Sequence, residues 1–223
     1  MILELSKAWQ WEKNSSSTWL TPCEESYYLA ARWEKKQYKT LLDLGCGLGR
    51  HSIFFAKHGF QVSTFDLSEY ATNYLKEWAK RENLLIEVKT ADMLHIPFPD
   101  NSFDCVFAMH VISHTDTQGI RTILSELRRV MKNGGEFFLT LCSKETWSFQ
   151  NSEFPRLDAN TIRKTGAGPE AGIPHFYVDL DDIPELFSNF ELLNIRHIDD
   201  CWFEGRKQNS KHYFILGGCR KEL

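Results

Sequence analysis

The sequence predicts an α/β protein: one domain with a mostly parallel, seven-stranded sheet, helices on both faces and a C-terminal antiparallel hairpin. Three observations predict it. Short apolar runs alternate with helical patterns over residues 40–141. A glycine-rich turn separates the first such run from the first helix that follows it. Two further strand-like runs close the chain around a polar turn. The 223 residues, 42% of them hydrophobic and 25% charged, are enough to bury a substantial core.

Taken in order, residues 1–37 read as an N-terminal helical cap. Trp9, Trp11 and Trp19 fall there without periodicity, and Thr21-Pro22 introduces a helix over Glu24–Lys36. Residues 38–142 are the core. Thr40–Leu44 is a buried strand, and Gly49–His58 a helix with Ile53, Phe54 and Ala56 inward, stopped by Gly59. Phe60–Phe65 is the second strand. Ser68 caps a helix carrying Ala71, Tyr74, Leu75 and Trp78. Leu85–Lys89 is the third strand, and Phe103–Met109 the fourth, after the turn Pro99-Asp100-Asn101-Ser102. Ile120, Ile123, Leu124, Leu127, Val130 and Met131 share one helical stripe, which Asn133-Gly134-Gly135 ends; Glu136–Leu141 is the fifth strand. Residues 143–180 are polar and rich in glycine and proline, and read as a long lid-like loop in which Gly166-Ala167-Gly168-Pro169 would hinge. Over 181–223 a short helix at Asp181–Phe187 precedes the strands Glu191–Ile198 and His212–Gly217.

The chemistry gathers at the carboxyl ends of the first three strands. Gly45-Cys46-Gly47-Leu48-Gly49 lets backbone approach a ligand and leaves helix N-terminal amides free to meet it. The nicotinamide fingerprint needs a third glycine where Arg50 stands, and no Gly-Lys-Ser/Thr of a phosphate loop follows. Asp66 ends the second strand, where a carboxylate accepts both hydroxyls of a ribose, and Asp92-Met93 follows the third. Such a crevice is where open α/β sheets bind ligands.

At these residues the chain resembles the class I S-adenosylmethionine-dependent methyltransferases, most closely the methyltransferase-11 type group acting on small molecules. Asp43-Leu44-Gly45-Cys46-Gly47-Leu48-Gly49-Arg50 is similar to that family's first motif, Phe65-Asp66-Leu67-Ser68 to its second and Ala91-Asp92-Met93 to its third. Pro97 through Asp104, Val111-Ile112-Ser113-His114 and Leu127 through Gly135 resemble the segments around its fourth and fifth strands. The resemblance implies a Rossmann-like fold and S-adenosylmethionine as cofactor, with S-adenosylhomocysteine as product. It implies cofactor contacts at Asp43, Gly45, Gly47, Gly49, Asp66, Leu67, Asp92, Met93 and His110. Gly45 and Gly47 would face the methionine part, Asp66 the ribose, Leu67 and Met93 the adenine faces, Asp92 the adenine amino group, and His110 the sulfonium.

A small-molecule methyl acceptor is therefore expected. His110 and His175 are the candidate catalytic residues, needed as a base only if the acceptor carries a proton at working pH. His110 and His114, four apart, would share one face of a helical turn as a metal pair; no third ligand is suggested, and no metal is expected. An RNA or protein methyltransferase would expect a basic face or an appended recognition domain, against a net charge of −4, and it would expect an Asn-Pro-Pro-Tyr type motif where Ala108-Met109-His110-Val111 stands. A non-catalytic S-adenosylmethionine-binding protein is the remaining alternative. No nucleic-acid partner is expected, since Lys35-Lys36, Arg128-Arg129 and Arg206-Lys207 read as solvated surface. No membrane is expected either, because no run reaches the roughly 18 apolar residues of a span. The start Met-Ile-Leu-Glu-Leu shows no signal peptide, and the six cysteines form no Cys-x-x-Cys pair. Reduced thiols, a cytoplasmic location and a monomer or homodimer are the matching expectations.

Overall fold

The computed structural model describes residues 7–13, 16–165, 170–201 and 209–221. The Gly166–Pro169 hinge, the Arg206-Lys207 cluster and the start of the chain read for a signal peptide lie outside the described residues.

Two 3-10 turns, Trp11–Lys13 and Ser17–Leu20, precede α1 (Glu24–Lys35). The cap residue of α1 is Cys23, not Thr21; its thiol caps no helix amide but meets the Ser26 hydroxyl at 3.4 Å, and its amide donates to His51 Nε2 at 3.3 Å. β1 (Thr40–Leu44), α2 (Arg50–Lys57), β2 (Gln61–Asp66), α3 (Glu69–Arg81) and β3 (Ile86–Thr90) follow as two βαβ steps in parallel register. Ser68 caps α3 as expected, its hydroxyl accepting from the Ala71 amide. β4 (Phe103–Ala108) returns to the other side of β1, so the strand order reverses between β1 and β4. α4 (Thr117–Val130) and β5 (Met131–Ser143) complete the parallel core. Met131 belongs to β5 rather than to α4: its backbone is extended and it pairs with Phe103, because a fully buried strand position outcompetes one more helical residue there.

Residue parity along the strands gives the layers. Leu41, Cys105, Phe107, Phe138 and Phe214 face α1 and α2, whose Leu29, Trp33, Phe54 and Phe55 form one core. Leu42, Leu44, Val106, Phe137, Leu139 and Ile215 face α4, whose Ile120, Ile123, Leu124 and Leu127 form the other. On α2, Phe55 is fully buried while Ala56 is only half-buried, since Phe55 fills the space between Trp33 and Phe107. Glu136 anchors α1 at the edge of this layer, accepting from Arg32 at 2.7 and 2.8 Å and from the Trp33 indole at 3.1 Å.

The stretch read as a loop over 143–180 is largely structured. It holds α5 (Trp147–Gln150), β6 (Thr161–Arg163) and β7 (Pro174–Val178), and β7 is buried along its whole length. Cys142 and Ser143 of β5 pair with Tyr177 and Val178 on the edge that β4 leaves free beyond Ala108. Pro174 is tolerated as the first residue of the strand, where its missing N–H costs no ladder bond. After α6 (Asp182–Leu186), β8 (Glu191–Cys201) and β9 (Asn209–Gly218) form the expected hairpin, with β9 antiparallel to β5. The seven expected strands are thus present in the order β3-β2-β1-β4-β5-β9-β8, and β6 and β7 bring the described sheet to nine. Among the described residues no helix is long and apolar enough to cross a membrane. Cys23, Cys46, Cys105, Cys142 and Cys219 are free thiols.

Candidate active site

The reversal between β1 and β4 opens a crevice at their carboxyl ends, and a cavity of about 700 Å³ fills it. Its floor is the glycine turn after β1. The Gly45 and Cys46 amides donate to Phe65 O at 3.0 and 3.1 Å, which fastens the turn to β2. Gly45 and Gly47 both have positive φ, and neither leaves room for a side chain: a Cβ on Gly45 would run into Val111, and one on Gly47 into the Trp11 ring.

Asp66, at the end of β2, spans the crevice. One carboxylate oxygen accepts from the Gly47 amide at 2.9 Å and the other from the Ser68 amide at 2.8 Å. A carboxylate offers about four lone-pair sites, so acceptor capacity remains for two further donors. Burial raises its pKa, against the pull of those amides. Leu67, Asp92 and Met93 line the same end of the cavity, and Asp92 Oδ1 accepts from the Leu94 amide at 2.9 Å. Two expected contact residues are not in the wall. Asp43 is buried behind the turn, where Ser52 of α2 donates to it at 2.5 Å, and burial lifts its pKa to about 7. Gly49 is the N-cap of α2 and packs against Leu75 of α3.

The three N-terminal tryptophans form a roof. Trp9, Trp11 and Trp19 contact one another edge-on at 4.5–5.4 Å between ring centroids, and all three line the cavity. Arg50 lies over Trp19 and donates to Thr18 O and Thr21 O, holding the roof to the start of α2. The indole N–H groups of Trp9 and Trp11 are buried and unpaired. No periodicity betrays this segment in the sequence because it makes short 3-10 turns, with Trp11 packed on Gly47, rather than a helix with one repeating face.

Histidines gather at the opposite end. His110 follows β4 with φ at 56°, a conformation few non-glycine residues adopt. Its amide donates to Thr140 Oγ1 at 2.7 Å, and its ring meets His212 edge-on at 4.4 Å. Burial depresses its pKa to about 4, so the ring is neutral at neutral pH. His114 does not pair with His110. Residues 109–116 make turns, not a helix, so the four-residue spacing does not set the two rings on one face. His114 instead lies against His175 of β7, with ring centroids 4.8 Å apart. His175 is almost fully buried; its Nδ1 donates to Ile173 O at 2.9 Å, and burial lowers its pKa.

Glu170, Lys164, Thr140 and His212 also line this end and carry no motif that marks them in the sequence. Lys164 donates to Glu170 at 2.6 Å. Burial raises the Glu170 carboxyl; the Lys164 ammonium beside it pulls the other way, and the net shift is well below the usual carboxylate range.

Residues 42–139 match the family model described as a methyltransferase domain. Among curated proteins, the chain is 35% identical over 114 residues to a sterol 24-C-methyltransferase of Gibberella zeae, a match covering 50% of this chain and 30% of that protein. It is 33% identical over 135 residues to a probable tocopherol O-methyltransferase of Oryza sativa subsp. japonica, covering 58% and 35%. The chain therefore spans about a third of either relative's length. Among solved structures, a SAM-dependent methyltransferase from Methanosarcina mazei superposes with a TM-score of 0.65 at 21% identity, over 82% of this chain and 93% of that one.

Proposed function

We propose that the chain, whose residues 42–139 match a methyltransferase-domain model, is a class I enzyme that transfers the methyl group of S-adenosylmethionine to a small-molecule nucleophile. The observation that carries this reading is Asp66 joined to the Gly47 amide across a glycine cradle with no space for a Cβ. The residues fit the cofactor. Asp66 retains lone pairs for ribose hydroxyls, Leu67 and Met93 would flank the adenine beside Asp92, and the Trp9 and Trp11 N–H groups would meet a carboxylate.

When bound, the sulfonium supplies an activated methyl group, so the hard chemistry is the cofactor's own. The protein's work is to align the acceptor and exclude water. The left-handed backbone at His110, fixed by Thr140, sets a neutral imidazole at the histidine-lined end of the cavity. With its pKa near 4 it accepts a hydrogen bond from the acceptor more readily than it removes a proton. The sterol and tocopherol enzymes among its relatives act, by their names, on small molecules, which supports an acceptor of that kind.

Ligand-dependent stability tests the cofactor half. S-adenosylhomocysteine at 100 times its dissociation constant should stabilise the fold by about 2.7 kcal/mol, roughly 5–10 °C in a chain of this size. NADH should leave the melting temperature unchanged. Stabilisation by NADH and none by S-adenosylhomocysteine would overturn the reading. Release of S-adenosylhomocysteine with a panel of oxygen, nitrogen, sulfur and carbon nucleophiles tests transfer itself.

A further inference from the structure

We infer that His114, Glu170 and His175 form a binding site for a divalent transition-metal ion of the zinc class at the acceptor end of the cavity. The three residues come from the turn after β4, the segment before β7 and β7 itself, and one ligand atom of each lies within 4.8 Å of the others. Glu170 Oε1 is 3.6 Å from His175 Nε2 and 3.9 Å from His114 Nε2. Both separations are too long for hydrogen bonds. They are close to the roughly 3–3.5 Å between neighbouring ligands that metal bonds of about 2.0–2.2 Å impose.

The second observation is independent of that spacing. His175 is 1% exposed, yet its Nε2 has no hydrogen-bond partner. Its single ring proton is committed on the other side, to Ile173 O. The lone pair at Nε2 therefore faces a carboxylate oxygen that is itself only an acceptor. Two acceptors turned toward each other in a buried place repel unless a cation lies between them. The surroundings are those of a ligand set. A backbone carbonyl fixes the tautomer of His175, and Lys164 occupies Glu170 Oε2, leaving Oε1 for the site. Two imidazoles and one carboxylate are a common catalytic zinc set, which keeps a position open. All three residues line the cavity. The open position therefore faces the methyl acceptor and would hold its oxygen, nitrogen or sulfur; this last step rests on the proposed methyl transfer, whereas the metal site does not.

The full chain, stripped with chelator, tests the site with Zn2+ alone in competition with a chromophoric chelator, and with Co2+ read by its visible absorption. One equivalent should bind without any cofactor. His114→Ala and His175→Ala should each weaken binding by about a hundredfold or more, at or beyond the loss seen when groups supporting a ligand are removed. His212→Ala, beside the trio but outside it, should bind as the parent does. Glu170→Gln preserves shape, and carries the test if a histidine variant does not fold by circular dichroism. Absence of binding by the parent, or parent-like affinity in Glu170→Gln and His175→Ala, overturns the inference. Because the readout needs neither S-adenosylmethionine nor turnover, failure here leaves the cofactor test standing, and failure there leaves this one.

Discussion

Asp66 and Asp43 stand 23 residues apart on adjacent strands, and burial raises both carboxyls, but they meet different donors. Asp66 meets the Gly47 and Ser68 amides and opens onto the cavity. Asp66→Ala should weaken S-adenosylhomocysteine by about 1.5–3 kcal/mol, the scale of hydrogen bonds to a charged group. Calorimetry showing parent-like affinity would leave Asp66 as a fastener of the glycine turn and nothing more. Among the described residues Ser52 is the one side-chain donor to Asp43, and burial lifts its carboxyl from 3.8 to about 7. The folded form thus keeps a proton that the unfolded chain has given up. The stability from this group is complete below pH 3.8 and is lost as pH rises through about 7. Asp43→Asn still accepts from Ser52 but does not titrate. Urea midpoints of the variant should therefore fall less across that window than those of the parent, and parallel curves would show that Asp43 is not the group responsible. Single residues were unevenly legible. Asp66 is recognisable because it ends a strand in a motif, but the inward turn of Asp43 depends on Ser52, nine residues on, which no motif marks.

Among the elements, β1 to β5 and α4 follow from periodicity, because each is long enough for its apolar face to repeat. β6 and β7 escape it. Their neighbourhood is dense in glycine and proline, and β7 is a strand because β4 stops at Ala108 and leaves the edge of β5 unpaired. Ser113 locks this arrangement. Its hydroxyl accepts from the Cys142 amide at 3.0 Å, and its carbonyl from the Phe176 amide at 2.8 Å. Ser113→Ala should cost about 1–3 kcal/mol, the penalty for depriving a buried amide of its acceptor. Denaturant unfolding measures it; a loss within error of zero would mean that β7 is held by its apolar burial alone.

At the scale of the molecule, the N-terminal tryptophans and the segment leading into β7 cover the cavity from two sides. Lys7 joins them, donating to Ala171 O at 2.8 Å. Covering segments that exclude water order on ligand binding. Hydrogen exchange should therefore slow over residues 7–20 and 170–178 when S-adenosylhomocysteine and acceptor are both present. Exchange unchanged there, with slowing confined to the glycine turn, would remove any closing role from both segments. What the sequence alone determined is the mostly parallel core with its closing hairpin, and the carboxylates and glycines at three strand ends. These are local: a few adjacent residues carry each motif, and a repeating apolar face carries each element. Only the tertiary structure decided the roof over Gly47, the inward burial of Asp43, and the meeting of His114 with Glu170 and His175. Trp11 reaches Gly47 across 36 positions, Asp43 turns inward to a serine on the next helix, and His114 meets His175 because β7 fills the edge of β5 that β4 leaves free. No local pattern encodes which side chains such packing will bring together.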